Sequence, residues 1–443
     1  MRKLFDSRLA YTALLWLLLP YVFFHLLWRA RKQREYLHHI GERFGRYEVK
    51  CDKPVIWLHT VSVGETRAAV TLVRGLRERY PDHQILLTHT TPTGRAASEQ
   101  LYGDDVIRVY LPYDYPFAVQ RFLRHFRPRV GVLFETEIWF NLIHACHAMS
   151  LPLLLLNARL SEISAMRYAR YPKLTRTGLH ELHLIAAQTE DDALRFASLG
   201  NHAVPVMGNL KFDIAPPPAM LELGKQLRVL FGLQRPVFLA ASTREGEEEL
   251  LLNALQHEGI EHLLIVIVPR HPQRFDEVAA LIERHGLRMQ RRSANESIAA
   301  DTQVVLGDSM GEMFAYYAAC DAAFIGGSLL PFGGQNLIEA CAVGKPVLIG
   351  PHTYNFAQAT EQAVARGAAI QVIHAGDLVH QLNTLLHDAD RLQQMGEDGE
   401  RFVGDNRGTT QHAMAHIMLA INHSQGSVGQ VHIPPSPPGR GLG

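Results

Sequence analysis

Two doubly wound α/β domains behind an apolar N-terminal segment are what this sequence predicts, and three observations carry the prediction. From Pro54 onward, short apolar runs without polar alternation recur, each followed by a stretch of helical periodicity. A proline run at Pro216–Pro218 interrupts that rhythm, which then starts again. The length of 443 residues, at roughly 150 per domain, leaves room for two or three such units.

The first element is the apolar segment Leu9–Trp28, twenty residues without a formal charge. As one helix it would extend about 30 Å, the thickness of a hydrocarbon core. Tyr11, Trp16, Tyr21 and Trp28 are amphipathic aromatics suited to a bilayer interface, while Pro20 and His25 count against a straight span. Arg29, Arg31, Lys32 and Arg34 outnumber the cations on the other flank, which favours a cytoplasmic body. No small-residue cleavage site follows, so a retained membrane anchor over residues 1–35 is expected rather than a removed signal. With the α/β body starting near Pro54, removal of residues 1–30 is expected to release the protein from membranes with its fold intact.

The first domain is expected over residues 36–214, with strands at 55–60, 84–90, 106–112, 129–135, 151–158 and 183–189. Between them run helical patterns such as Leu72, Val73, Leu76 and Tyr80, and Phe117 to Phe126. Continuous apolar strands alternating with helices signify a parallel sheet covered on both faces. The second domain is expected over 215–424, with strands at 236–242, 262–269, 302–308, 322–327 and 346–351. The Pro/Gly-rich end, residues 425–443, has few core formers and reads as a disordered tail. Ligands of such sheets bind beyond the carboxyl ends of the strands, so motifs there are the ones to weigh.

Several function classes drop out first. Lys plus Arg and Asp plus Glu are 44 each, a balance that argues against a nucleic-acid binder. The four cysteines have no CxxC spacing, which excludes a zinc ribbon and a disulfide scaffold. There is no P-loop, since Gly344-Lys345 runs into Pro346, and no GxSxG elbow. HTVSVGET after the first strand does not supply the GxGxxG of a Rossmann oxidoreductase. His144, His147, His180 and His183 have spacings seen among zinc ligands but lack a carboxylate set, and no metal is expected.

What remains is chemistry-bearing. Glu65 opens the helix after strand one, where it is either a dipole-complementing acid or a general base exposed to the cleft. Glu135 and Glu137 end strand four together, too many acids for helix decoration. Lys211 falls at the junction of the halves, as a solvated lysine or as a cation facing developing phosphate charge. Arg270 and His271 close a strand of the second half, and Gly311 lies at a helix start. Gly326, Gly327, Gly333 and Gly334 permit close backbone approach, Asn336 can cap the following helix, and Glu339 on that helix can accept from ribose hydroxyls. A membrane adaptor without catalysis would not need acids and glycine loops at strand ends in both halves.

Taken in order, HTVSVGE, TPTG, YLPYD, ETEIW, NARLS, AAQTE, GNLKFD, REGEEE, VPRHP, GDSMGEM and FGGQNLIEA resemble the motifs of the Kdo transferases of Gram-negative lipopolysaccharide synthesis, up to about Phe356. The resemblance implies a GT-B glycosyltransferase, two Rossmann-like domains facing a central cleft. It implies transfer of 3-deoxy-D-manno-octulosonic acid (Kdo) from CMP-Kdo to a lipid A precursor, lipid IVA, with an acceptor domain first and a CMP-Kdo domain second. By resemblance Glu65 is the catalytic base, and Glu135 with Lys211 assists the transition state. Pro269, Arg270, Gly311, Glu312, Met313, Asn336, Leu337, Ile338 and Glu339 would hold CMP. No cofactor, metal or nucleic acid is implied. The partners are CMP-Kdo, the lipid acceptor and inner-membrane lipids, with the body on the cytoplasmic face of the inner membrane. The chain departs from the family pattern at Gln335 and Leu337, where FGGHNPLE is expected, and at Phe140, where ETEIWPN has proline. Another GT-B transferase acting on a membrane lipid with a different nucleotide sugar is the alternative.

Overall fold

The computed structural model describes residues 6–32, 34–200 and 204–424. The chain forms two compact units, one drawing on residues up to Asp213 and again from Arg407, the other spanning Ile214–Asn406.

The first unit is built on six parallel strands: β1 Val55–His59, β2 Gln84–His89, β3 Ile107–Tyr110, β4 Pro128–Phe134, β5 Leu153–Ala158 and β6 Leu184–Ala187. Their order is β3-β2-β1-β4-β5-β6, the doubly wound order, which reverses between β1 and β4. All six are expected from the sequence. Successive side chains of β1 enter opposite layers: Val55 and Trp57 pack with Leu133 and Phe122, Ile56 and Leu58 with Leu72 and Leu76. Trp57 Nε1 donates to Thr88 Oγ1 at 2.8 Å, so the one polar atom of that ring is satisfied inside the sheet.

The second unit holds seven strands, β7 Val237–Thr243, β8 Leu264–Pro269, β9 Met289–Arg291, β10 Val304–Leu306, β11 Ala322–Ile325, β12 Val347–Ile349 and β13 Ala369–Gln371. They pair in parallel in the order β13-β12-β11-β7-β8-β10-β9. Five are expected from the sequence. The other two, β9 and β13, are the three-residue edges, with no apolar run long enough to betray them.

Two expectations need correction. Among the described residues no single helix is long and apolar enough to cross a membrane. The N-terminal segment forms α1 Arg8–Leu17 and α2 Leu19–Lys32, bent by 53° at their junction. Pro20 has no N–H to give the carbonyl of Trp16, so one continuous helix cannot form there. Nor does α1 stand apart from the body. Tyr11 Oη donates to Asp114 Oδ2 at 2.9 Å, Thr12 Oγ1 to Asn141 Oδ1 at 2.9 Å, and Tyr115 Oη to the carbonyl of Leu15 at 2.9 Å. Burial pushes the Asp114 carboxyl up to about 6, against the pull of bonds from Tyr11, Asn141 and Leu142.

The second correction concerns the domain expected over residues 215–424. The closing helix Thr409–Ser424 belongs to the first unit instead. Ala413, Ile417, Ala420 and Ile421 complete the apolar layer that holds Ile56, Leu58 and Leu72. The expected tail, residues 425–443, lies outside the described residues.

Candidate active site

Each sheet offers its site where the strand order reverses, because the loops leaving the two central strands diverge there. In the first unit these are the loops after β1 and β4, which carry Glu65 and Glu135.

Glu65 lies in the short helix Val63–Ala68, whose cap is Ser62. Ser62 Oγ accepts from the Glu65 amide at 3.2 Å. In return the Glu65 carboxylate accepts from Ser62 N at 3.2 Å, Ser62 Oγ at 2.8 Å and Val61 N at 2.8 Å. This is a capping box, and it fixes the carboxylate at the sheet edge. The side chain is only 9% exposed. Burial raises its pKa, the charge of Glu135 raises it further, and the Val61 and Ser62 bonds and His59 oppose both.

Glu135 follows β4 with φ of 59°, a left-handed conformation that residues with a Cβ seldom adopt. Its amide donates to the Leu156 carbonyl at 3.3 Å and its carbonyl accepts from Arg159 N at 3.1 Å, so β5 holds the strained residue in place. Lys211 Nζ stands 3.0 Å from Glu135 Oε1. The lysine rides a single turn, Leu210–Phe212, capped by Asn209 Oδ1 accepting from Lys211 N at 3.0 Å. Asn209 donates to Gln188 Oε1 at 3.1 Å, and Gln188 to the Asn157 carbonyl at 2.9 Å. The structure therefore brings Glu65, Glu135 and Lys211 together, and Asn157, Gln188 and Asn209 position the lysine. Those three amides stand inside NARLS, AAQTE and GNLKFD, Asn157 near the end of β5 and Gln188 just after β6.

His59, at the end of β1, is a further group not singled out in the sequence. It is fully buried, with Nδ1 at 3.0 Å from the Thr88 carbonyl and Nε2 at 3.8 Å from Glu137 Oε2. Nδ1 also stands 2.9 Å from Thr88 Oγ1, a hydroxyl that can donate or accept, and Nε2 faces the Glu137 carboxylate. Trp139 Nε1 donates to that same carboxylate at 2.7 Å.

In the second unit the reversal lies between β7 and β11. The buried Glu247 ties the two loops, accepting from Arg244 N at 2.9 Å, Gly327 N at 2.6 Å and Leu329 N at 3.0 Å. Beside it Glu248 forms a two-pronged pair with Arg274, at 2.7 and 3.1 Å, and accepts from Thr243 Oγ1. Nothing local in REGEEE marks either acid as structural. Gly326 is required by space: a Cβ there would lie 2.4 Å from the Ser242 carbonyl.

Of the residues expected to hold CMP, Pro269 ends β8 and Arg270 follows it, donating from Nε to Gln335 Oε1 at 3.2 Å. Gln335 thus orients Arg270 at the position where the chain departs from FGGHNPLE. Gly311, with φ of 82°, precedes Glu312, which accepts from Ser309 Oγ at 2.6 Å and from Arg292 at 3.2 Å. Met313 starts the helix Met313–Ala319. Asn336 accepts from Ile338 N at 3.1 Å and donates to Glu339 Oε1 at 3.2 Å. The cap position itself falls on Leu337, and the helix Ile338–Cys341 is a single turn. Leu337 and Ile338 are fully buried, backbone included. Among the described residues no group of three or more His, Cys, Asp or Glu could hold a metal ion, and His144 pairs with Glu181 at 2.9 Å.

The profile described as 3-deoxy-D-manno-octulosonic-acid transferase matches residues 38–214, and that of the group 1 glycosyl transferases residues 282–402. A 3-deoxy-D-manno-octulosonic acid transferase of Bordetella pertussis is 42% identical over 386 residues, covering 84% of this chain and 89% of that protein. The chain belongs to the Kdo transferase family. The Haemophilus influenzae member is 37% identical over 413 residues, covering 91% of this chain and 96% of its own length. Among solved structures, a glycosyltransferase from Rickettsia africae superposes with a TM-score of 0.56 at 14% identity, over 84% of this chain and 99% of that one. That likeness concerns the fold, two parallel-sheet α/β domains of GT-B type. The Kdo transferase profile ends at residue 214, one residue past the boundary between the two units.

Proposed function

We propose that the chain transfers Kdo from CMP-Kdo to a sugar hydroxyl of a lipid A precursor, lipid IVA, in lipopolysaccharide core synthesis, with inversion at the anomeric carbon. The observation that carries the reading is Glu65, a buried carboxylate of raised pKa in the company of the Glu135–Lys211 pair. Glu65 takes the proton of the acceptor hydroxyl as its oxygen bonds to the anomeric carbon. The bond from that carbon to the phosphate oxygen breaks, and CMP leaves with the electron pair. Lys211, held against Glu135, supplies positive charge as negative charge develops. Arg270, Glu339 and the backbone around Gly311 and Asn336 hold the nucleotide. Product masses from purified protein, CMP-Kdo and lipid IVA test the whole reading, and transfer from a UDP-sugar in place of CMP-Kdo would overturn it.

A base must be ionised to act, and Glu65 is raised by burial first and by Glu135 second. The acid limb of kcat/KM should therefore lie above the ~4.3 of a free glutamate. Glu135→Gln, which removes the second cause, should move that limb to lower pH, as a pH–rate profile would show. Glu339→Ala should weaken CMP binding roughly ten- to a hundredfold by calorimetry, the worth of a hydrogen bond to a charged group, and leave acceptor binding alone.

The reading includes the inner membrane, with the body on the cytoplasmic face. Its support is the outer surface of α1 and α2, where Leu9, Leu17, Tyr21, Phe24, Leu27 and Trp28 are all more than half exposed. Such a surface lies in an interface, with its apolar side chains among acyl chains and Arg29, Arg31 and Arg34 beside anionic headgroups.

A further inference from the structure

The first unit contains a cavity of about 410 Å³ between α1 and the helices Glu162–Tyr168 and Pro172–Glu181. Tyr11, Leu14, Phe140, Tyr168, Tyr171 and Leu174 form most of its wall. Its size falls among small-ligand sites, about 300–1,000 Å³. The rings stack edge to face, with Phe140 5.3 Å from Tyr11 and 6.4 Å from Tyr168. Of the lining hydroxyls, Tyr11 is committed to Asp114 and Thr175 to the Tyr168 carbonyl, while Ser164, Tyr168 and Tyr171 carry the others. The rings, Leu14 and Leu174 make the wall mostly apolar, which suits hydrocarbon.

Its surroundings narrow the guest further. Leu14 and Tyr171, on the wall, are 40% and 41% exposed, so the cavity is continuous with the apolar outer face of α1. Ile163 and Met166 extend that face on the other side. Arg167 lines the cavity, and Arg170 and Lys173 are exposed on the same two helices or the turn between them. An apolar chamber rimmed by cations matches an amphiphile with an anionic head. One wall residue, Phe140, lies close in the chain to the acids after β4. It follows Glu137 by three residues, and Glu137 stands 3.8 Å from His59, the last residue of β1, whose following loop leads to Glu65.

We propose that this cavity holds an acyl chain of the lipid acceptor, seating its sugar beside Glu65. The proposal rests on the lipid-acceptor reading above and adds the site that recognises the lipid portion. It makes α1 serve twice, since one face meets the membrane while Tyr11 and Leu14 form a wall of the acceptor site.

The test uses the full chain, CMP-Kdo, lipid IVA and its fully deacylated counterpart. Leu14→Trp and Ser164→Phe fill the chamber from two sides, at positions that are exposed or half-buried. Each buried methylene is worth about fourfold in affinity, so displacing two should raise KM for lipid IVA by roughly tenfold or more. KM for CMP-Kdo and for the deacylated acceptor should hold. An unchanged KM for lipid IVA in both variants, or equal losses with both acceptors, overturns the proposal. Dodecanoate binding supplies a reading independent of turnover, expected for the unsubstituted chain and lost in Leu14→Trp. No dodecanoate binding by the unsubstituted chain overturns the pocket even if transfer proceeds. Binding without any Kdo transfer overturns the reaction and leaves the pocket standing.

Discussion

Glu65→Gln is expected to lower Kdo transfer by about 10²–10⁴-fold, the usual worth of a general base. The substitution keeps size and most of the capping box, since the glutamine oxygen can still accept from the Ser62 amide. Its NH2 then faces the Val61 amide, which loses its acceptor. The helix Val63–Ala68 should keep its start, at a cost of about 1 kcal/mol for the lost bond. CMP affinity should also hold, because the residues proposed to bind CMP belong to the second unit. Were Glu65 only a cap, the change would leave turnover nearly intact and cost a few tenths of a kcal/mol to about 1 kcal/mol of stability. Rate, midpoint and CMP affinity measured on one preparation separate the two. Normal turnover by the folded variant would sink the base assignment.

Removing residues 1–30 should unfold more than it releases. The truncated chain loses the Tyr11 bond to a buried carboxylate, the Thr12 bond to Asn141 and the Trp16 contact with Tyr115, 5.2 Å between ring centres. A bond to a charged group alone is worth about 1.5–3 kcal/mol. Together the losses should exceed ~3 kcal/mol, or roughly 6–12 °C of the first unit's midpoint. The effect should depend on pH. Asp114 has a folded pKa of about 6 against 3.8 unfolded, so its neutral form is the one the fold prefers. Its stabilisation is complete below pH ~4 and is lost as pH rises through ~6. Without the Tyr11 donor the carboxylate is harder to keep, and truncation should cost more at pH 7.5 than at pH 5. Urea midpoints at both values check this. A truncated chain as stable as the whole one would show that α1 is dispensable to the body.

How far the sequence discloses this molecule depends on what each residue is asked to do. The long apolar strands were legible because a parallel strand buried on both faces must be continuously apolar, as LPLLLLNA and HLLIVIVP are. β9 was not, since MQR at a sheet edge buries too little to need such a run. Glu65, Glu135 and Lys211 could be picked out by position at strand ends or junctions and by motif, but their meeting depends on strand order, which no local pattern encodes. Glu247 and Glu248 hid for the opposite reason. In REGEEE three acids in a row look solvated, and only the amides of Gly327 and Leu329, about eighty residues away, show why one of them is buried. The N-terminal segment misled because hydropathy counts apolar residues and not their partners. Tyr11 reads as interfacial, yet it bonds to Asp114, and its neighbour Thr12 bonds to Asn141.

The return of the closing helix Thr409–Ser424 to the first unit bears on how the chain is made. Ile214–Asn406 is in effect an insertion within a discontinuous domain, and Asp213 accepts from the amide of Gly408 at the point of return, 2.7 Å. During synthesis the six strands of the first sheet leave the ribosome long before Ala413, Ile417 and Ala420, which finish one of their apolar layers. For the time needed to translate the inserted unit, the face of Ile56 and Leu58 is missing one of its covers. The nascent first domain should thus be open to chaperones and proteases until the helix Thr409–Ser424 emerges. The second unit is contiguous in sequence and can close as soon as residue 406 is out.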